Sequence, residues 1–393
     1  MKALRNLPLE KKNALLILVI VLLGFLVALL TLRPQTSPVT KLWERMHGDK
    51  PAQWHEIAFS HDGEHVITAA QTVKIWRTKD GQLVRSFPLA VKNAVKTISS
   101  DGRWIATYES NGAVKLWKLP EGKVIRTMKG EKGNSLFLAF SPNGRFLAAA
   151  SYDLGVVKVW RTENGNLMHS LSLGVNRILG LAISPNGKLL ATMTDHFNPK
   201  TKQQDMHLVL WNLPNGKKVF SRKTPVIPTR CYYLLPPLTS IWVDRNVFSF
   251  SPKGSFLAVA GVGSKGYTVA IFKAESGKVD REIVLQNRFM AISFHPQNES
   301  LIFVHEEFSR DILDPLRPAS LNVPALWFFS DTLTCWHLKE TGLKEFWKTK
   351  ELVTHSLHSW IDPTSAFAFS PDGKLIAIVT LGSKVKLFRI EGD

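Results

Sequence analysis

One short phrase constrains this chain more than any other feature, because it recurs at intervals of roughly 40 residues. It opens with two apolar residues, then Ser or His, any residue, Asp or Asn, and Gly. An apolar stretch follows, then Val-Lys-apolar-[Trp/Phe]. Clear copies are Ser60-His61-Asp62-Gly63 leading to Val73-Lys74-Ile75-Trp76, and Ser141-Pro142-Asn143-Gly144 leading to Val157-Lys158-Val159-Trp160. Openings fall at Gly63, Gly102, Gly144, Gly187, Gly254 and Gly373, with a worn copy at His295-Pro296-Gln297-Asn298. Closings fall at Trp76, Trp117, Trp160, Trp211, Phe272, Trp336 and Phe388. These seven aromatics are expected to pack between neighbouring units as structural core.

A second turn follows the closing aromatic, as in Lys79-Asp80-Gly81, Pro120-Glu121-Gly122 and Pro214-Asn215-Gly216. Asp-Gly and Asn-Gly suit hairpins because both residues tolerate positive φ. Each unit therefore reads as four strands, a to d, with short a–b and c–d turns. Short strands repeated at this period predict an all-β, seven-bladed β-propeller. The seventh unit reaches Gly392-Asp393 without a fourth strand, and Val39–Met46 has the composition of one. Pairing 39–46 with the last unit is expected to close the ring and remove exposed sheet edges. With the propeller spanning 39–393, no separate catalytic domain is expected.

The Ser-Pro-[Asp/Asn]-Gly opening, Val-Lys-x-Trp and the following turn resemble the WD-repeat family, as a divergent member. The resemblance implies a protein-binding scaffold. No unit carries the family's Gly-His pair, and Trp is followed by Arg77, Lys118, Arg161, Asn212 or His337 in place of Asp. The family's Asp–His–Ser–Trp hydrogen-bond relay is therefore expected to be largely missing, with Asp153 alone at its acidic position.

Ahead of the propeller, residues 1–13 form a basic tail, 14–32 an uncharged apolar run, and 33–38 a linker. Nineteen apolar residues suffice to span a bilayer as one helix, so a single-pass, uncleaved anchor is predicted. The bias of Lys2, Arg5, Lys11 and Lys12 over Arg33, Lys41 and Arg45 predicts the tail inside and the propeller on the non-cytoplasmic side. Net charge is +18, and residues 33–393 hold 46 basic against 31 acidic residues. That excess favours an anionic surface or polymer as a partner. The repeat-position lysines Lys74, Lys115, Lys158 and Lys386 read as dispersed around the ring, so nucleic-acid binding, which needs a concentrated stripe, is not expected.

The long segments 194–206 and 306–325 fall between strands b and c of units four and six. Segments 223–246 and 350–365 join strand d of one unit to strand a of the next. Strands alternate in direction, so all four emerge on one face, and binding residues favour variable loops on a rigid frame. Within 223–246, Arg230, Tyr232, Tyr233, Leu235 and Trp242 have the composition of interface anchors. The competing reading is that these aromatics fold back onto the ring. The leading expectation is a membrane-anchored scaffold binding protein through this face. The alternative is a propeller enzyme or small-ligand sensor with a site at the mouth of the central channel.

No catalytic constellation is identified, and no cofactor or metal is expected. Gly261-Val262-Gly263-Ser264-Lys265-Gly266 has dinucleotide-fingerprint spacing but joins two strands, so it reads as a flexible b–c loop. His355, His358 and His305-Glu306-Glu307 lack the spacing of a zinc site. Cys231 and Cys335 are too few for a disulfide framework, and a bridge between them stays open.

Overall fold

The computed structural model describes residues 39–393 except 49–55, 90–94, 133–135, 152–153, 175–176, 199–202, 227–230, 236–238, 244–247, 286–288, 298–299, 310–327, 340–341, 355–363, 381–382 and 391–393. The tail 1–13, apolar run 14–32 and linker 33–38 lie outside the described residues, as does Asp153. Among the described residues no helix is long and apolar enough to cross a membrane.

Every described strand is antiparallel to its neighbour, and the strands form seven four-stranded sheets and one separate two-stranded sheet. Sheet one is Glu56–Phe59, His65–Ala69, Thr72–Arg77 and Leu83–Pro88. Sheet two is Val95–Ile98, Trp104–Tyr108, Ala113–Lys118 and Lys123–Lys129, and sheet three is Leu136–Phe140, Phe146–Ser151, Val156–Arg161 and Leu167–Ser172. Sheet four is Arg177–Ile183, Leu189–Asn198, Gln203–Asn212 and Lys217–Lys223. Sheet five is Phe248–Phe250, Phe256–Gly263, Gly266–Lys273 and Val279–Leu285. Sheet six is Phe289–Phe294, Ser300–Ser309, Phe328–Lys339 and Gly342–Thr354. The last sheet is Thr364–Phe369, Leu375–Thr380 and Lys384–Ile390, with Val39–Met46 as its outer strand. Each first strand neighbours the first strand of the next sheet, and Thr364–Phe369 neighbours Glu56–Phe59, so the inner strands form a closed cycle.

The core lies between sheets. Ile57, Phe59, Val66 and Trp76 of sheet one share a cluster with Trp43, Ala377, Val379 and Leu387 of the last sheet. Leu147 and Trp160 of sheet three pack on Leu116 and Tyr108 of sheet two, and the same interleaving runs onward to sheets five and six. Trp76, Trp117, Trp160, Trp211, Phe272 and Phe388 are each buried to 8% exposure or less. Trp336 is opposite Leu301 in the equivalent register.

The opening phrase is a turn built by its own side chains. Ser60 Oγ donates to Asp62 Oδ1 and accepts from the His65 amide, while the Gly63 amide closes onto the Ser60 carbonyl. The same bonds recur at Ser141 and Asn143, and at Ser370 and Asp372. The Ser60 hydroxyl and the Glu64 amide both favour the ionised carboxylate, so Asp62 is held below the usual carboxylate range.

A reduced form of the tryptophan relay is present. The indoles of Trp76, Trp117 and Trp211 donate to Thr68, Thr107 and Thr192 at 2.9, 3.1 and 3.2 Å. Each threonine lies on strand b, opposite the residue two before the tryptophan. Where the aromatic is Phe272 or Phe388, that position holds Val259 or Ile378. The threonine accompanies three of the tryptophans, while for Trp160 the same position holds Ala149.

A second repeat, invisible in composition, governs how the sheets join. In every sheet the outer strand carries one extra residue opposite the step into the closing aromatic, a β-bulge. The outer-strand residue opposite the position before the aromatic is then Trp43, Arg85, Arg126, His169, Phe220, Arg281 or Trp347. The side chains of Trp43, Arg85, Arg126, His169 and Phe220 reach the next sheet's c–d turn. Trp43 Nε1 donates to the Thr78 carbonyl at 2.8 Å, Arg85 to the Glu121 carbonyl at 3.3 Å, and His169 Nε2 is 2.6 Å from the Leu213 carbonyl. The Trp43, His169 and Phe220 rings also fill the space beside Gly81, Gly216 and Gly277. Val39–Met46 carries both the bulge and the latch, so it is an outer strand in every structural respect.

Candidate interaction face

The four long segments leave the ring on the b–c and d–a side. The expectation that they are loops is corrected by the backbone pairing. In 194–206, Thr194–Asn198 and Gln203–His207 stay paired, through Asn198 opposite Gln203. In 306–325, Glu306–Ser309 pairs with Phe328–Asp331, and Gly342–Thr354 carries the start of 350–365 as strand. Paired strands satisfy each other's backbone groups as they leave the ring, which an extended single loop cannot do. Gly261–Gly263 likewise continues a strand, paired with Gly266–Thr268 around Ser264 and Lys265, so it is a two-residue hairpin and not a flexible loop.

The separate two-stranded sheet lies wholly inside 223–246. Cys231–Leu235 pairs with Thr239–Val243, placing Tyr232 opposite Trp242, Tyr233 opposite Ile241 and Leu235 opposite Thr239. Four of the five candidate anchors therefore share one hairpin, and Arg230 lies outside the described residues. Sequence reading missed the hairpin because Pro236-Pro237 masks the alternation on either side of it.

The repeat lysines are engaged on this same side of the ring. Lys74 Nζ donates to the His47 carbonyl and lies 5.8 Å from the Trp76 ring centroid. Lys115 pairs with Glu109 at 2.6 Å and Lys158 with Glu131 at 2.7 Å. Lys386 is buried, at 8% exposure. Farther along the face, Arg177 pairs with buried Asp195 at 3.5 Å and Lys223 with Asp205 at 2.7 Å. These lysines, spread around the ring, are joints of the frame.

Tyr108 holds a further joint that the sequence did not signal. Its hydroxyl donates to the Glu131 carbonyl at 2.6 Å and accepts from the Glu131 amide at 2.8 Å. Burial raises its pKa to about 12, so the donor proton is retained throughout the physiological range. Replacing Tyr108 by Phe is expected to cost about 1–3 kcal/mol by leaving both backbone groups unsatisfied. Hydrogen exchange at the Glu131 amide checks this, since unchanged protection would contradict the assignment.

The charged residues of the described inner strands are Glu56, Lys96 and Arg177. Among the described residues no group of three or more His, Cys, Asp or Glu side chains is placed to hold a metal ion. His355 and His358 lie outside the described residues.

A family model described as WD domain, G-beta repeat, matches residues 81–118 and 122–161. Each match begins at or just after a c–d turn and ends at strand c of the following sheet, so one sequence repeat straddles two sheets. The fold is a β-propeller, and residues 81–118 and 122–161 are WD repeats within it. A chain in the crystal structure of the mitotic checkpoint complex shares this fold, with a TM-score of 0.62 at 15% identity. The alignment covers 90% of this chain and 92% of that one. No curated protein matches the sequence.

Proposed function

We propose that this WD-repeat propeller is a seven-bladed, non-enzymatic scaffold, tethered to a membrane through residues 14–32 and binding a protein partner on its elaborated face. The observation that carries the reading is the hairpin Cys231–Leu235/Thr239–Val243, a sheet of its own that adds nothing to the ring. Its sequence gathers Tyr232, Tyr233 and Trp242 within 13 residues, the residue types that dominate interface energetics. The WD-repeat match and the structural likeness to a chain of a multi-protein complex support a scaffold role. The apolar run and the basic bias of the tail support the tether and a non-cytoplasmic propeller.

Exchange of residues 227–247 for a short Gly-Ser linker is expected to abolish partner capture while leaving the thermal transition of the ring nearly unchanged. The measurement is in-cell photocrosslinking from position 233, compared with position 166 on the opposite face. Partners that persist after the exchange would refute the reading.

A further inference from the structure

We propose that the opposite face, formed by the a–b and c–d turns, is a docking surface for a bilayer leaflet containing anionic lipid headgroups. The inference rests on the tether in the preceding proposal and not on the hairpin. Both sides carry ion pairs: on the turn side Arg77 pairs with Asp80, Arg103 with Asp101, Lys118 with Glu121 and Lys273 with Asp280, and on the elaborated side Lys132 and Lys265 are exposed outside any described ion pair. The other basic side chains named on the elaborated side are tied to acids or carbonyls: Lys115 to Glu109, Lys158 to Glu131, Arg177 to Asp195, Lys223 to Asp205 and Lys74 to His47.

On the turn side, Arg145, Arg161, Lys188, Lys217, Lys253 and Lys278 are all exposed, and among the described residues no ion pair engages them. They form one continuous stretch across sheets three to five. Arg145 precedes Phe146, which is opposite Arg161. Lys188 precedes Leu189, opposite Asn212, and Asn212 is in turn opposite Lys217. Glu163 and Glu275 are the exposed acids within the stretch. A cleft of about 390 Å³ opens between sheets four and five, lined by Leu189, Lys253, Ser255, Phe256, Lys273 and Glu275. It is large enough for a phosphate headgroup, and Lys253 is its unpaired base, since Lys273 pairs with Asp280 at 3.5 Å and Glu275 also lines the cleft.

The position at which the chain enters the propeller selects a membrane over other anionic surfaces. Val39 is opposite Ile390, whose amide bonds the Lys374 carbonyl, so the described chain begins at the edge of this same turn face. Residues 33–38 between it and the apolar run span about 20 Å at full extension. A headgroup plane carrying negative charge attracts each nearby Lys or Arg by about 1 kcal/mol, within a Debye length of the surface. Six unpaired bases on one flat face make a surface of that kind.

The test uses the full chain, with Cys231 and Cys335 replaced by Ser, held in lipid nanodiscs carrying headgroup spin labels. A fluorophore is placed by Asn166→Cys on the turn face or by Ser110→Cys on the elaborated face. With 30 mol% (about one lipid in three) phosphatidylglycerol, quenching at position 166 is expected to exceed that at 110 by about tenfold in rate. The difference should collapse in purely zwitterionic discs, in about 0.5 M salt, and in the variant Arg145→Glu, Arg161→Glu, Lys188→Glu, Lys217→Glu. All four side chains are exposed, so that variant should retain the wild-type melting transition.

Equal quenching at the two positions, or quenching at 166 that ignores lipid charge and the four reversals, overturns the docking surface while leaving the tether standing. Failure of the chain to enter discs at all overturns both. Quenching at 166 that is indifferent to lipid charge, together with reversal-sensitive binding of soluble polyglutamate, would assign the face to an acidic polymer and also overturn the proposal.

Discussion

Replacing Trp43 by Ala is expected to lower the unfolding free energy of the full chain by about 3–5 kcal/mol, the largest loss for any single outer-strand position. The indole is 6% exposed and donates to the Thr78 carbonyl, and its ring fills the space beside Gly81. It belongs to the cluster that joins the last sheet to the first, with Ile57, Phe59, Val66 and Trp76. Removing it opens a cavity at the one junction where the ring closes on itself and leaves a buried carbonyl without its donor. Trp43→Phe should recover most of the packing but not the hydrogen bond, and should lie between the two. Guanidinium denaturation supplies the measurement, and a loss below about 1 kcal/mol for the Ala variant would show that closure does not depend on this latch.

The second large effect is expected at Gly277, where two separate costs can be told apart. Its φ is +66°, a conformation that costs a side-chain-bearing residue about 1 kcal/mol or more. A Cβ built there would also lie 2.4 Å from Phe220 Cε2, which forces the ring to move. Gly277→Ala should therefore lose about 2–4 kcal/mol, combining strain with overpacking. Phe220→Ala removes the clash but not the strain. The double variant should then be more stable than additivity predicts by at least about 1 kcal/mol. Additive losses would mean that the outer-strand ring does not bear on the neighbouring turn.

The ring was legible in the sequence for a simple reason. The turn phrase needs Ser60, Asp62 and Gly63, or their counterparts, for local bonds that no other residue types make equally well, so the letters recur with the geometry. The same holds for the closing aromatics, whose position between sheets demands bulk without charge. The latch was illegible because its geometry asks only for reach. Trp43, Arg85, His169 and Phe220 share a register position and a target but no chemistry, and only the bulge beside them makes them equivalent.

The insertions were located from sequence, since the phrase breaks where they enter. Their conformation was misread because the pairing of Asn198 with Gln203, or of Glu306 with Asp331, is a relation between two segments and leaves no mark on either alone. The ion pairs of the repeat lysines were illegible for a similar reason. Lys115 and Lys158 look like solvent charges until Glu109 and Glu131 are placed beside them.

The outer strand at Val39–Met46 also fixes an order of events during synthesis. It leaves the ribosome before every other strand of the propeller, and its partner Lys384–Ile390 follows roughly 340 residues later. At about 5–20 residues per second, that is a wait of about 17–70 s. For that interval the strand is a ribbon with open hydrogen-bonding edges and a tryptophan awaiting its pocket. The last sheet is the only one whose strands cannot fold as they appear, so a nascent chain will remain a horseshoe until nearly all of it has been made.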